Sequence, residues 1–298
     1  MIEPSRRTSR RTIASGVAAA IALAGVGFAV GRETGPRADG PAAEPAPAAI
    51  PAPAPAPATP LPLPSPPLGR GDLMAAVRAA VDAFASGSPF PPEVESLAGR
   101  RFEIRLAFGC GGPSPKEAPS GWHYDEAVGA LRVRVTAAAF DPAAWLGASA
   151  AAAIDSSDGF WIERPWTRSE TCPPVSPTPA AAVAGAPERT LGLVRFHGAD
   201  ESRVGRRDGE PYEAVEKVAP DSLNVAQGLR LRLAGRLVAA PGGATPIICR
   251  APQAGTRPVC LIAVSLDQVA IENPATGATL ATWDVASPEG GQAAAGTS

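Results

Sequence analysis

Apolar and polar residues alternate along three segments of the chain, residues 102–108, 131–135 and 229–233, where arginine and glutamate separate larger apolar residues. A period of two is typical of strands that bury one face and expose the other. Shorter runs of β-branched and aromatic residues predict further strands at 159–164, 191–196, 212–218, 246–250, 259–264, 268–272 and 278–283. The pattern predicts a mainly β domain, an antiparallel sandwich or barrel with a few short helices.

Two segments show helical features instead. In the first, apolar residues recur at helical spacing: Leu73, Val77, Ala80, Val81 and Phe84. Asp72 is the candidate N-cap of this helix. Asp141 and Pro142 suit the N-cap and first position of a second helix that runs to Ile154. The polar residues 155–159 that follow are predicted to form a turn.

The N-terminal segment has the layout of a membrane signal. Residues 12–31 carry no charge, and an arginine cluster precedes them within residues 1–11. Twenty helical residues span about 30 Å, the thickness of the hydrocarbon core. Arginines before an apolar run favour a cytoplasmic N-terminus. We therefore expect a cytoplasmic stub at 1–11 and a transmembrane helix at 12–31, which anchors the chain in a bacterial inner membrane and leaves the rest in the periplasm.

A cleaved export signal is the alternative for residues 12–31. Seven alanines and four glycines make the run weakly apolar, so insertion as a permanent helix is marginal. Small-x-small cleavage sites occur at residues 22–24 and 27–29. Cleavage there would give a secreted or periplasmic protein. Both alternatives export everything that follows residue 31.

Residues 32–68 are predicted to form a disordered linker rich in proline and alanine. Prolines concentrate between Pro36 and Pro67, where they alternate mostly with alanine. Such a tract lacks the backbone donors of helix or sheet and stays extended as polyproline II. A single anchor, a proline-rich stalk and a terminal domain resemble the layout of TonB-type energy transducers. Those carry a histidine in the anchor, and residues 12–31 contain none. The resemblance therefore implies no function.

Residues 69–286 are predicted to form the exported β-rich domain, followed by a disordered tail at 287–298. A second proline- and alanine-rich stretch, residues 173–187, interrupts this domain. It divides the domain into halves at 70–172 and 188–286, or it forms a long surface loop within one domain.

Four cysteines fit an oxidising compartment. Cys249 and Cys260 are equidistant from a central Ala-Gly pair, so a hairpin there would set them directly opposite each other for a disulfide. Cys110 and Cys172 would then form the second bridge. Zinc binding is the alternative, but the sequence has no Cys-x-x-Cys pair. The sequence therefore predicts two disulfides, no metal and no cofactor.

Charge excludes one class of partner. From residue 69 onward the chain has 21 basic and 25 acidic residues. A nucleic-acid binder usually shows the opposite balance, so we expect no nucleic-acid partner. Arg105, Arg132 and Arg134 would form a basic strip if their strands paired. The alternative is an ordinary solvated sheet face, neutralised by residues such as Glu103.

Candidate catalytic residues are few, because His123 and His197 are the chain's two histidines. In a strand, His123 and Asp125 would share one face, as a general base and its orienting carboxylate can. An ordinary strand edge looks the same, and the chain has no Gly-x-Ser-x-Gly motif. The sequence therefore leaves enzymatic activity undecided, with a hydrolase site at His123 and Asp125 as the alternative function.

Aromatic residues suggest a binding role. Nine of the fifteen fall between Phe102 and Trp166. Clustered aromatics form the floor of ligand grooves or, in other proteins, the core of a β domain. Trp161 and Trp166, with Arg164 between them, are the ligand-binding candidates. We therefore expect an envelope protein that binds another envelope protein or a cell-wall component, or that has a structural role there.

Overall fold

A computed structural model describes residues 65–174, 189–199, 206–253 and 255–285. These residues belong to the compact unit Pro62–Ser298. The predicted stub, the 12–31 helix, the 287–298 tail and all but the end of the linker lie outside the described residues. None of the helices that are described is long and apolar enough to cross a membrane.

The described part of the chain is mainly β with a few short helices, as the alternation predicts. The strands are β1 Arg101–Phe108, β2 Ser120–Asp125, β3 Ala130–Val135, β4 Ala138–Ala139, β5 Ile154–Trp161, β6 Leu191–Gly198, β7 Tyr212–Lys217, β8 Leu229–Leu237, β9 Ile247–Arg250, β10 Val259–Asn273 and β11 Ala278–Asp284. The helices are α1 Arg70–Ser86, α2 Pro92–Glu95, α3 Pro142–Trp145 and α4 Ala148–Ala151, with a 3₁₀ turn at Pro220–Ser222.

Two open sheets contain these strands. The larger follows the order β1-β8-β10-β6-β5-β4, with β9 and β11 also paired to β10, and the smaller follows β2-β3-β7. Neither sheet closes through the strands described, so the barrel alternative is wrong. The β6–β10 pair is parallel, against the expectation of antiparallel pairing throughout. A parallel pair needs a long crossover, and β7, β8 and β9 lie between β6 and β10 in the chain.

Strand β10 joins the parts of the larger sheet. It pairs with β6 and β9 along its first half and with β8 and β11 along its second. The sequence predicted two separate strands at 259–264 and 268–272. They are one strand because a register shift between Leu266 and Gln268 lets it bend without ending.

Both sheets contribute to one buried cluster of apolar side chains. The larger sheet supplies Phe102, Ile104, Leu231 and Leu233, among others, and the smaller sheet supplies Leu131, Val133 and Tyr212. Strands from both sides of the 173–187 stretch pair in the larger sheet, since β5 precedes that stretch and β6 follows it. The two sheets therefore bury the apolar residues whose alternation with polar residues predicted the strands.

The helices follow the sequence in part. Helix α1 forms as predicted and buries Leu73, Val77 and Ala80, but its N-cap is Gly69. Asp72 is the third helical residue, and its carboxylate accepts a hydrogen bond from the Gly69 N–H at 2.9 Å. Asp141 caps α3 as predicted.

The predicted helix from Asp141 to Ile154 is wrong in its length. Leu146 is buried in an extended conformation, and it separates α3 from α4. The predicted turn at 155–159 is wrong as well, because these residues form the centre of β5. The Asp155 carboxylate pairs with Arg206, and the Asp158 carboxylate pairs with Arg195. These ion pairs stabilise the two carboxylates within the strand, whereas in an exposed turn water would do so.

The basic strip that would have required the strands of Arg105, Arg132 and Arg134 to pair does not form. Arg105 lies in the larger sheet, whereas Arg132 and Arg134 lie in the smaller one. The Arg105 guanidinium contacts the carboxylates of Glu103 and Glu272, each at 2.9 Å. These ion pairs match the other interpretation of the sequence, an ordinary sheet face whose arginines are neutralised by neighbouring glutamates.

Both predicted cysteine pairs are joined. Cys249 and Cys260 lie opposite each other in β9 and β10, with an S–S distance of 2.01 Å. Cys110, just after β1, is bonded to Cys172 at 2.06 Å. The two disulfides indicate an oxidising, extracytoplasmic environment.

Candidate functional site

A cavity of about 400 Å³ lies where the ends of β1 and β5 meet the start of β2 and the β3–β4 connection. Small-molecule pockets usually measure about 300–1,000 Å³. Apolar side chains from both sheets, or close to a strand end, form much of its wall: Leu106, Phe108, Val135, Phe160, Ile162 and Leu231. Consecutive residues at 106–108 and 160–162 line it, which places the cavity at the ends of these strands and not over one face of a sheet.

Cationic residues also line this cavity. Arg70, Arg164 and Arg189 are among the described residues of its wall, and Glu163 is the single acidic one. Arg189 is exposed, and its guanidinium carbon lies 5.9 Å from the ring centroid of Trp161, within reach of a cation–π interaction. The cavity therefore combines apolar walls with net positive charge.

Arg70 holds one side of the cavity in place. It is only 4% exposed, although it is the first residue of α1. Its guanidinium donates to the carbonyls of Glu163, Arg164 and Thr167 at 2.8, 3.1 and 3.0 Å. Burial lowers the pKa of Arg70, and the Arg164 cation lowers it further, whereas the Glu170 carboxylate opposes both effects. Arg70 thus fixes the backbone that carries Arg164, and the two cations are close enough to repel.

Arg164 has an unusual backbone. Its φ is +51°, and only Asp208 shares a positive φ among the non-glycine residues described. A non-glycine residue in the left-handed region costs about 1–3 kcal/mol and tends to occur at functional sites. The Arg164 guanidinium donates to the Thr171 carbonyl at 2.6 Å.

The sequence candidates for ligand binding have different positions. Trp161 and Arg164 line the same cavity, whereas Trp166 is 64% exposed and is not part of its wall. Sequence reasoning missed Arg70 and Arg189. Neither is close to Trp161 in the sequence, and an arginine beside a helix start or a proline-rich stretch carries no signal of its own. Only the fold brings these residues together.

His123 and Asp125 lie on one face of β2, as predicted. The Asp125 carboxylate contacts the Arg132 guanidinium at 3.6 Å, and His123 faces Arg132 across the strand pair. His123 Nε2 is buried and has no hydrogen-bond partner among the residues described. Neither residue lines the cavity. Asp125 therefore shows the ion pairing of an ordinary sheet face, and His123 has no contact that would make it a base oriented by Asp125 among the residues described.

A second polar cluster lies partly buried between neighbouring strands. Asp158 of β5 accepts two hydrogen bonds from Arg195 of β6, at 2.9 and 2.7 Å. His197, predicted to precede a loop, lies in β6 with its Nε2 3.3 Å from the same carboxylate. Burial would raise the pKa of Asp158, but the hydrogen bond from His197 and the charge of Arg195 outweigh it and lower that pKa. This cluster has the bidentate geometry of a structural ion pair.

No protein-family model, curated protein or solved structure matches this chain. Within the described ranges, no group of three or more histidine, cysteine, aspartate or glutamate side chains could hold a metal ion. The geometry defines a mainly β, disulfide-bonded domain with a cavity that both apolar and cationic residues line.

Proposed function

We propose that this chain is an inner-membrane-anchored envelope protein whose two sheets form a sandwich in the periplasm and bind a small molecule. Residues 12–31 would be the anchor and residues 32–68 the stalk. The arginine cluster before the charge-free run supports the anchor, and the two disulfides support export. The small molecule would come from the envelope, and another envelope protein or a cell-wall component would be a further partner.

The cavity is the observation that carries the binding function. Its volume is that of a ligand pocket, its apolar walls come from both sheets, and Arg70 holds the segment that carries Arg164. A hydrolase site at His123 and Asp125 is not proposed, because Asp125 is paired with Arg132 and neither residue lines the cavity.

The experiment measures binding of the neutral dye Nile red by fluorescence. It uses a chain beginning at Ser65, which retains the backbone bonds from Leu68 to Arg101 and Glu103. We expect saturable binding at one site. Replacing Ala137, on the cavity wall, with phenylalanine should weaken binding at least about tenfold, because the larger ring fills the space.

The matched control is Ala139→Phe, two residues further along the chain. Ala139 is exposed and does not line the cavity, so this variant should bind like the parent. Far-ultraviolet circular dichroism establishes that both variants fold. Binding that never saturates, or an Ala137→Phe variant that binds as well as the parent, would contradict a ligand site in this cavity.

A further inference from the structure

Two of the cavity's three arginines are accessible enough to contact a ligand. Arg70 is almost fully buried, and its Nε and Nη2 groups already serve three backbone carbonyls. Arg164 uses one bond to the Thr171 carbonyl, and a guanidinium carries five N–H donors. Arg189 is exposed beside Trp161, where its charge lies over the ring. Arg164 and Arg189 are therefore the candidate ligand contacts.

The residues that line the cavity carry more positive than negative charge. Arg164 and Arg189 line it together with Arg70, and Glu163 is the only acidic residue among the described residues of the wall. Bringing cations together is unfavourable unless an anion joins them. Arg164 also has its strained left-handed backbone. Both features have an explanation if an anionic group binds here.

The apolar part of the cavity wall favours a ligand that also has an apolar part. Leu106, Phe108 and Trp161 line the cavity and are only partly buried, so apolar surface remains exposed there. A purely ionic ligand would leave this apolar surface in contact with water. An aliphatic chain would bury it, and each buried CH₂ group adds to the affinity.

Resting on the binding function proposed above, we propose that the ligand is an amphiphile with one anionic head and an aliphatic body. The head, a carboxylate or a phosphate, binds Arg164 and Arg189. The aliphatic body enters the cavity between the sheets. Free fatty acids and phospholipid-derived acids share this chemistry.

The test uses photo-crosslinking of the full-length chain in isolated membranes from an expressing bacterium. Three probes carry the same twelve-carbon chain with a diazirine and a terminal alkyne, and end in a carboxylate, a phosphate or an alcohol. Mass spectrometry then maps the labelled peptides. We expect an anionic probe to label peptides of the cavity wall, such as the one containing Phe160 and Trp161, at least about tenfold more than the alcohol does.

Two variants remove the charges. Arg189→Gln, and Arg164→Asn, which tolerates the left-handed backbone, should each reduce labelling by the anionic probe about tenfold. Arg189→Lys should retain most of it. Arg257→Gln is the matched control, because Arg257 is exposed and outside the cavity wall.

The outcomes separate the two proposals. Preference for the carboxylate probe supports a fatty acid, and preference for the phosphate probe supports a phospholipid-derived acid. Equal cavity labelling by all three probes, unaffected by Arg164→Asn and Arg189→Gln, overturns the anionic head and leaves the binding function standing. Absence of cavity labelling by every probe overturns both.

Discussion

Replacing Asp158 with alanine will lower the free energy of unfolding by about 3–5 kcal/mol, because it leaves a buried charge without its partner. The Arg195 side chain is 7% exposed, and both of its bonds to Asp158 would be lost. Urea unfolding of the chain that begins at Ser65 measures the change. Adding Arg195→Met to Asp158→Ala should recover most of the loss, since it removes the unpaired cation.

An exposed ion pair provides the control for Asp158. Glu213 and Arg134 are 2.9 Å apart, with side chains 53% and 39% exposed. Glu213→Ala should therefore cost less than about 1 kcal/mol. Equal losses for Asp158→Ala and Glu213→Ala would contradict a structural role for the buried pair.

The lowered pKa of Asp158 fixes the sign of the pH effect. Its contribution to stability is present above the unfolded-state pKa of about 3.9 and is lost as the pH falls through the lower folded-state value. The parent should therefore lose more stability than Asp158→Asn on acidification below about pH 4. Parallel losses in the two proteins would mean that another group is responsible.

Removing the Cys110–Cys172 disulfide will destabilise the domain more than removing Cys249–Cys260. The pairs enclose loops of 62 and 11 residues. In the loop-entropy account, the two disulfides stabilise the folded domain by about 4 and 3 kcal/mol respectively. Cys110 also ties the end of β1 to Cys172, which follows the Arg164 segment of the cavity wall.

Double cysteine-to-alanine variants of each pair measure this difference by urea unfolding. Both variants remove the same number of atoms, so each is a control for the other. The result expected is a lower unfolding midpoint for Cys110→Ala/Cys172→Ala than for Cys249→Ala/Cys260→Ala. The reverse order would mean that core packing around Cys260, which is fully buried, outweighs loop entropy.

Period-two alternation predicted the strands because it depends on residues next to one another. Strands β1, β3 and β8 follow it closely. Strand β10 was divided in the prediction, because polar residues around Ser265 and Asp267 look like a break. The register shift that keeps the strand continuous arises from its neighbours and leaves no local pattern.

The turn predicted at residues 155–159 was wrong for a similar reason, because the residues that stabilise this strand are distant in the sequence. The arginines that neutralise Asp158 and Asp155 lie 37 and 51 residues further along the chain. Aromatic clustering pointed to Trp161 and Arg164, which both line the cavity, and ligand binding by them stays a prediction. The buried Arg70 could not be found, because its carbonyl partners are more than 90 residues away.

Fractionation of the tagged full-length chain, followed by N-terminal sequencing and non-reducing electrophoresis, tests the proposed topology directly. We expect a membrane-bound species that begins at Met1 and contains both disulfides, with protease cleavage of the domain in spheroplasts. A soluble periplasmic species that begins after Ala24 or Ala29 would contradict the anchor. A cytoplasmic species with reduced cysteines would contradict export itself.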